Sequence, residues 1–157
     1  MKKEKYIKDS MAEQSYIVRA QHINGYGRLF GGILVQWIDE IAGIVAKRHA
    51  EAEVTTVAID NIYFKRPAYS NDIIVLVARV TYVGRSSMEV RVDTYTEALN
   101  GTRKVINRAY VVMVAIDKDG HALEVPGLIL ENEQQKWEWE SGKKRYQLRK
   151  ERSREGY

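Results

Sequence analysis

The segment ILVQWIDEIAGIVAKRHA, residues 33–50, decides the fold of this chain. Its apolar side chains fall on every side of a helix, and Lys47, Arg48 and His49 stand in the last turn, where cations suit the negative end of a helix dipole. A helix that is apolar all round is a buried helix. The sequence therefore predicts one long helix at the centre of the protein.

Segments of β character lie on both sides of this helix. They are residues 16–23 before it and residues 54–64, 73–83, 86–95 and 105–116 after it. Short connections that contain Gly84 or the pair Asn100 and Gly101 favour antiparallel hairpins. The predicted fold class is therefore α+β, a single domain in which an antiparallel sheet wraps around one long buried helix.

The predicted strand at residues 86–95 has two distinct faces. Apolar and charged residues alternate along it, which is the period of a strand with one face on the core. One face carries Met88, Val90 and Val92, and the other carries Glu89, Arg91 and Asp93. A sheet wrapped around a single helix also leaves an edge strand exposed, so we expect two copies of the chain to pair by continuing the sheet.

The composition excludes several kinds of site. The chain of 157 residues is 45% apolar and 29% charged, which suits one globular domain. Cysteine is absent, so disulfides, thiolate nucleophiles and zinc–thiolate sites are excluded. The spacing of His22, His49 and His121 matches no metal motif. We therefore expect no metal and no cofactor.

The positive charge lies at the two ends of the chain. The net charge is +4, yet residues 12–130 carry thirteen basic and thirteen acidic side chains. We divide the chain into an N-terminal tail (1–11), one domain (12–130) and a charged, solvated C-terminal tail (131–157) with some helical character. Because the domain itself is neutral, we expect no nucleic-acid partner.

The sequence also lacks the signals of a secreted or membrane protein. The N-terminal lysines are not followed by the apolar run that a secretory signal requires. The most apolar stretch, residues 33–46, is shorter than the roughly 20 residues of a spanning helix and contains Asp39 and Glu40. We therefore expect no membrane partner and a cytoplasmic location.

Asp39 is the residue best suited to catalysis. It lies among apolar residues of the predicted helix, where an ionised carboxylate is costly unless it has a partner or a task. It shares a narrow polar stripe with Gln36, Glu40 and Gly43. A solvated helix edge would show the same stripe, so the pattern alone leaves both interpretations open.

Gly31 and Gly32, in the glycine-rich loop at residues 24–32 that enters the helix, offer a second signal. Unshielded backbone N–H groups at the positive end of a helix can stabilise an oxyanion on a carbonyl, although a tight turn would need the same small residues. Asp39 lies about eight residues further on, roughly 12 Å along the helix axis. If both act, the site must lie between two chains, with Asn24 facing the Asp39 carboxylate of a partner subunit.

Four motifs resemble those of the hotdog-fold acyl-CoA thioesterases, in particular the cytosolic acyl-CoA hydrolase group with its brain-type and bacterial members. They are HINGYGRLFGG at residues 22–32, WIDE at 37–40, FKRP at 64–67 and VGRSSMEV at 83–90. The resemblance covers roughly residues 12–130, and its first two motifs are the more specific. It implies a hotdog domain that hydrolyses fatty acyl-CoA to the free fatty acid and CoA.

The resemblance also implies a role for each site residue. Asp39 corresponds to the catalytic acid–base or nucleophile, Asn24 to the loop asparagine, and Gly31 with Gly32 to the backbone that holds the oxyanion. The segment near the CoA phosphates and pantetheine corresponds to Gly84, Arg85, Ser86 and Ser87. CoA is then part of the substrate. The family forms its site across a homodimer, and the dimers often assemble further, as a trimer of dimers in a hexamer.

Other functions on the same fold stay open. A non-catalytic acyl-CoA sensor would keep the pocket without the carboxylate, so Asp39 argues against it. A hotdog dehydratase or hydratase would need a catalytic histidine near the helix, where His22 is available. The sequence does not choose between attack by water that Asp39 activates and attack by Asp39 itself. Nor does it give the acyl chain length.

Overall fold

The computed structural model describes residues 2–60 and 62–157. The α-helices are α1 (Gly31–Ala50) and α2 (Glu133–Glu155), and short 3-10 turns cover Ile7–Asp9 and Ala20–His22. The strands, in chain order, are β1 (Glu4–Tyr6), β2 (Ala12–Ile17), β3 (Glu53–Asp60), β4 (Ile73–Val83), β5 (Ser87–Glu97), β6 (Arg103–Ile116) and β7 (Gly127–Ile129). None of the helices found in these two ranges is long and apolar enough to cross a membrane.

Strands β2, β4, β5, β6 and β3 lie side by side in this order in one antiparallel sheet, and β1 pairs with β7 in parallel. The sheet packs its inner face on α1, from which Ile38, Ile41 and Val45 are completely buried. Each such side chain contributes about 1.5–3 kcal/mol when it leaves water, so the helix is held chiefly by apolar burial. The predicted hotdog arrangement, an antiparallel sheet around one long helix, is confirmed.

The two faces of β5 are also as predicted, but the charged face is not solvated. Met88, Val90 and Val92 are fully buried in the core on the α1 side. Glu89 and Asp93, on the other face, are only 1% exposed. The sheet is therefore covered on both sides, by α1 on the apolar face and by α2 on the charged face.

Helix α2 corrects the interpretation of residues 131–157 as a solvated tail, which is wrong. The helix begins where Asn132 Oδ1 accepts a hydrogen bond from the backbone N–H of Gln135, and it packs along β4. Gly142 faces the sheet so closely that a Cβ there would lie 2.7 Å from the Cβ of Tyr82. The aromatic ring of Tyr82 contacts Trp139 and Tyr146 of the helix.

Ion pairs join these aromatic contacts in the second interface. Glu138 of α2 accepts hydrogen bonds from Arg79 at 2.6 and 3.1 Å and from Arg91 at 3.1 Å. Desolvation by burial opposes the ionised form of Glu138, but hydrogen bonds from Arg79 and Gln134 outweigh it and hold the pKa of Glu138 below its ordinary value. A helix with little apolar surface can thus dock through buried charges, provided that each charge has partners.

Several element boundaries differ from the sequence prediction. β2 runs from Ala12 to Ile17 instead of 16–23, because the chain turns after Val18 into the 3-10 turn that ends at His22. α1 begins at Gly31, two residues earlier than predicted. β3 ends at Asp60 instead of residue 64: residue 61 of the predicted strand lies outside the described residues, and residues 62–64 are not part of the ladder. The N-terminal tail contributes β1, whose pairing with β7 ties the first residues to the domain.

Candidate active site

Asp39 is held by a threonine of the edge strand. The Thr56 hydroxyl on β3 donates a hydrogen bond of 2.7 Å to Asp39 Oδ1 and also lies 3.3 Å from Met113 Sδ. Asp39 is half-buried, and it lines an open cavity of about 490 Å³ together with Gly43, Thr56 and Met113. The carboxylate is therefore fixed in orientation and still reachable from outside the protomer.

The polar stripe around Asp39 lies on the side of α1 that faces away from the centre of the core. Gln36 and Glu40 are exposed, and Gln36 Nε2 donates to Glu40 Oε1 at 3.0 Å. Gly43 keeps the cavity wide, since a Cβ there would have only Met113 Cε at 4.0 Å as a neighbour. Within one protomer the stripe is thus a wet edge, as one of the two interpretations expected, and Asp39 alone of its carboxylates is bonded to the sheet.

Asn24 is held by its own loop. Its side-chain oxygen accepts hydrogen bonds from the backbone N–H groups of Tyr26 at 2.9 Å and Arg28 at 3.2 Å. Because both partners are donors, Oδ1 must face the loop and the amide Nδ2 must point away from it. Asn24 lines a cavity of about 430 Å³ that also includes Gly31, Leu34, Phe64 and Ile106. The loop therefore leaves the N–H groups of Nδ2 available for a partner outside it.

Gly31 and Gly32 form the first turn of α1. The backbone N–H groups of Ile33 and Leu34 donate to the carbonyl of Phe30, at 3.0 and 3.3 Å, whereas the N–H groups of the two glycines belong to the positions that have no partner inside a helix. A Cβ on Gly31 would lie 3.3 Å from the Phe64 ring, and one on Gly32 would lie 2.6 Å from the Phe30 ring. A larger residue at either position would therefore have to displace one of these aromatic rings.

Three of the four predicted catalytic residues fall into two separate cavities of the protomer, and the fourth, Gly32, lines neither. Asn24 and Gly31 line one cavity, and Asp39 lines the other with Thr56. The two cavities also differ in charge: the first is lined by Arg28, Lys65 and Arg66, and its lining contains no carboxylate. The second is lined by two carboxylates, Asp39 and Glu40, and by one cation, Lys47. One protomer thus presents two cavities of opposite charge.

The predicted CoA-binding segment forms the tip of the β4–β5 hairpin. The Gly84 N–H donates to the Ser87 carbonyl at 2.9 Å, and the carbonyls of Arg85 and Ser86 accept from Val125 and Ala115. Gly84 packs tightly, since a Cβ there would lie 2.7 Å from Ser87 Oγ. The Arg85 side chain is exposed. The hairpin is therefore a rigid support for one outward cation, and it lines neither of the two cavities above.

Thr56 is the site residue that sequence reasoning missed. It is one of two consecutive threonines in a β segment, and nothing in that local pattern distinguishes them. Its contact with Asp39 depends on the pairing of β3 with β6, in which Thr56 stands opposite Met113. Such a contact needs the register of the sheet, which the sequence alone does not supply.

A cavity of greater volume is distinct from the two that Asn24 and Asp39 line. It has a volume of about 550 Å³ and lies between α2 and the outer face of the sheet, with Asp60, Tyr110 and Arg145 in its lining. These charges already have protein partners: Arg145 binds Glu89 and Asp60 binds two arginines. Volume alone therefore does not make this cavity the site of the chemistry.

An exposed turn brings together Asp117, Asp119 and His121, whose ligand atoms lie within 4.8 Å of one another. The Asp117 carboxylate accepts hydrogen bonds from the backbone N–H groups of Asp119 and His121, at 2.9 Å each. These bonds explain the cluster as turn chemistry, in which an aspartate stabilises the residues that follow it. The turn is remote in sequence from all the predicted catalytic residues.

Comparison with known proteins identifies relatives over most of the chain. Residues 26–100 match the model of the thioesterase superfamily. A Bacillus subtilis protein named as an uncharacterized acyl-CoA thioester hydrolase is 35% identical over 83% of this chain and 77% of its own. The human cytosolic acyl coenzyme A thioester hydrolase is 31% identical over 84% of this chain, which corresponds to 35% of the longer human protein.

Solved structures of similar sequence have the same fold. An acyl-CoA hydrolase from Staphylococcus aureus, studied with butyryl-CoA, CoA and CoA disulfide, superposes with a TM-score of 0.92 at 35% identity, over 97% of this chain and 93% of its own. An apo-hexameric acyl-CoA thioesterase gives 0.91 at 34% identity, over 96% and 97%. Alanine variants of an asparagine, an aspartate and a threonine of the Staphylococcus enzyme were also solved; the aspartate follows the asparagine by 15 residues and precedes the threonine by 17.

Proposed function

The chain belongs to the thioesterase superfamily and is an acyl-CoA thioester hydrolase, and from this premise we propose which of its residues carry out the reaction. The substrate is a fatty acyl-CoA, and the products are the free fatty acid and CoA. Asp39 is the catalytic carboxylate, Asn24 orients the reacting water or the thioester, and the N–H groups of Gly31 and Gly32 stabilise the oxyanion. The reaction requires no cofactor besides the CoA of the substrate.

The chemistry divides among these groups as follows. Asp39 either removes a proton from the attacking water or attacks the thioester carbonyl itself, and in the second route water then cleaves the resulting anhydride. In both routes a C–O bond forms, the C–S bond breaks, and the sulfur leaves as CoA, which takes up a proton. The carbonyl oxygen gains negative charge on the way, and backbone N–H groups at a helix N-terminus are suited to stabilise it.

The hydrogen bond between Thr56 and Asp39 is the observation that carries this proposal. It fixes a carboxylate at the mouth of a cavity, where a solvated surface aspartate would have no such partner. Asn24, Asp39 and Thr56 follow one another at intervals of 15 and 17 residues. These intervals equal those between the three residues replaced in the Staphylococcus variants.

The two cavities, each interpreted as half of one site, support an active site shared by two subunits. Asn24 and Gly31 lie in a cavity with Arg28, Lys65 and Arg66, and Asp39 lies in a separate one with Glu40. Opposite charges favour the approach of one protomer's acidic half-site to its partner's basic half-site. We propose a homodimer on this basis, and a trimer of dimers because a similar thioesterase is hexameric.

The β4–β5 hairpin is proposed to bind the CoA end of the substrate. Gly84, Ser86 and Ser87 offer a rigid backbone, and the exposed Arg85 offers a cation for phosphate. A cytoplasmic location is proposed as well, since the human relative is named as cytosolic.

The alternative functions fit these contacts less well. A dehydratase would need His22 for chemistry, but His22 Nδ1 accepts a hydrogen bond from the Arg19 N–H at 3.0 Å and the ring packs edge-on against Trp37. A non-catalytic sensor has no need of a carboxylate that a threonine holds in place.

The test is a CoA-release assay with a thiol reagent over acyl-CoAs from short to long chains. Asp39→Asn should lower kcat by at least about a hundredfold, the low end for loss of a general base, with unchanged circular dichroism. The matched control is Glu40→Gln, which removes the neighbouring carboxylate and should stay near the wild-type rate. A folded Asp39→Asn enzyme with near-normal turnover would exclude this assignment.

A further inference from the structure

Asp60 ends the edge strand that carries Thr56, and α2 holds it there. Arg149 Nη1 lies 2.8 Å from Asp60 Oδ2, and Arg152 Nη2 lies 3.1 Å from Asp60 Oδ1. The Asp60 side chain is only 11% exposed, so little water competes with the two guanidinium groups. Two arginines of α2, about 90 residues away in the sequence, thus bind the end of β3.

The same helix is anchored on the rigid centre of the sheet. Arg149 Nη1 also lies 3.4 Å from Glu89 Oε2, and Arg145 binds both oxygens of that carboxylate at 2.8 and 2.9 Å. Glu89 is on β5, the middle strand of five, and its side chain is fully buried. Arg149 therefore connects the best-held strand of the sheet to one of its edges.

The edge strand is irregular near the catalytic residues. Within the described protomer β3 pairs on one side only, with β6, and its ladder is interrupted by a β-bulge between Thr56 and Ala58. Asp60 is four residues beyond Thr56, roughly 13 Å along an extended strand. A bulge bends its strand, so the position of the Thr56 hydroxyl depends on how the chain is held on either side of it.

We propose that Arg149 and Arg152 are positioning residues for catalysis: they clamp Asp60 and thereby set the placement of Thr56 against Asp39. The inference rests on the proposed function of Asp39. It assigns to α2 a role in turnover, in addition to its role in covering the sheet. The clamp acts through the strand, and none of its members touches the substrate.

A purely structural role for α2 is the competing explanation, and the other half of the helix provides the control. Glu138, two turns before Arg145, is bound by Arg79 and Arg91 and is 4% exposed. The strands β4 and β5 supply both arginines, so Glu138→Gln loosens α2 without touching β3. Glu138→Gln and Asp60→Asn each replace a buried carboxylate with a neutral amide. Only Asp60→Asn releases the edge strand.

The experiment measures kcat and KM for the intact enzyme and for both variants. Asp60→Asn should lower kcat about tenfold with KM within about twofold, because small displacements of catalytic groups act on the chemical step. Glu138→Gln should lower the melting temperature and keep kcat near wild type. If Glu138→Gln lowers kcat as much as Asp60→Asn, or if Asp60→Asn leaves kcat unchanged, the proposal is wrong.

A double-mutant cycle separates this proposal from the assignment of Asp39. In a Thr56→Val background, Asp60→Asn should change kcat by less than about twofold, since the contact through which it acts is already lost. Equal effects in the two backgrounds would overturn the proposed route, even if Asp39 is catalytic. If Asp60→Asn does not fold, Arg152→Gln removes one of the two contacts from a half-exposed position and replaces it in the cycle. Light scattering checks each variant, and a fall in kcat that follows loss of the oligomer would also overturn the proposal.

Discussion

Glu89 and Arg145 form a bidentate ion pair across the interface between the sheet and α2, with N–O distances of 2.8 and 2.9 Å. The carboxylate is completely buried, and the arginine also stacks over the Tyr110 ring at 3.7 Å. A charge in such a place is tolerated only while its partner is present, since breaking a buried pair costs about 3–5 kcal/mol.

Removal of α2 should therefore unfold the protein. Deletion of residues 132–157 would expose the outer face of the sheet, including the Tyr82 ring that packs on Trp139 and Tyr146, and would remove the arginine partners that α2 gives to Glu89 and Asp60. Domains of this size are usually stable by only about 5–15 kcal/mol, so the loss of a whole interface exceeds what the fold tolerates. We expect the truncated chain to be insoluble or to lack a cooperative thermal transition. Deletion of the exposed residues 156 and 157 alone is the control and should leave both solubility and melting unchanged. A soluble, cooperatively melting 132–157 deletion would contradict the role given to the ion pairs.

Mixed dimers test the sharing of the site. Asn24→Ala and Asp39→Asn homodimers should each be weakly active. In a mixed dimer both substitutions fall in one of the two shared sites, and the other site has only native residues. Exchange at equal concentration gives about half mixed dimers, so activity should approach about a quarter of wild type per chain. Tagged co-purification confirms the exchange. Verified mixed dimers that are no more active than the parents would place Asn24 and Asp39 in the same chain's site.

The hairpin cation is tested by charge reversal. Arg85→Glu should raise KM for acyl-CoA by about tenfold or more and change kcat little, because phosphate contacts are remote from the reacting carbonyl. Lys118→Glu reverses another exposed cation in a turn and serves as the control. An unchanged KM in the Arg85 variant would remove this residue from the CoA site.

His49 gives stability a pH dependence. Burial of the ring lowers the pKa of His49 below 6.5, although its bond to the Pro126 carbonyl at 2.8 Å acts in the opposite direction. His49 therefore takes up a proton more readily in the unfolded chain than in the folded one. Its contribution to stability is fully present at a pH above its ordinary pKa of 6.5 and is lost as the pH falls below that value. Melting temperatures measured from pH about 7.5 downward should fall less steeply in His49→Gln than in wild type. The exposed His121→Gln is the control, and equal slopes in wild type and the His49 variant would contradict this prediction.

Helix α1 and the apolar face of the sheet were predictable because their signals are local in the sequence. Residues 33–50 are apolar all round, and the alternation from Met88 to Asp93 separates the two faces of β5. β2 was misplaced because it lies at the sheet edge: residues 12–17 are mostly polar, and the more apolar segment that follows is a turn. The start of α1 was placed late because glycine is a poor helix former.

The docking of α2 on the charged face of the sheet could not be predicted, because buried and solvated charges look alike in a sequence. The partners of Glu89 are 56 and 60 residues away, and local spacing carries no sign of them. Of the site, the loop motif placed Asn24 beside Gly31 and the length of α1 placed Asp39 apart from them. Thr56 could not be found in this way, since its contact with Asp39 joins an edge strand to a helix.

The two faces of the sheet respond differently to temperature because they are built from different interactions. The α1 face rests on apolar burial, which weakens on cooling. The α2 face rests on paired charges, whose desolvation cost falls as the temperature rises. Heating therefore does not favour early detachment of α2, despite its position at the chain terminus, and the C-terminal helix is expected to remain docked until the core around α1 melts.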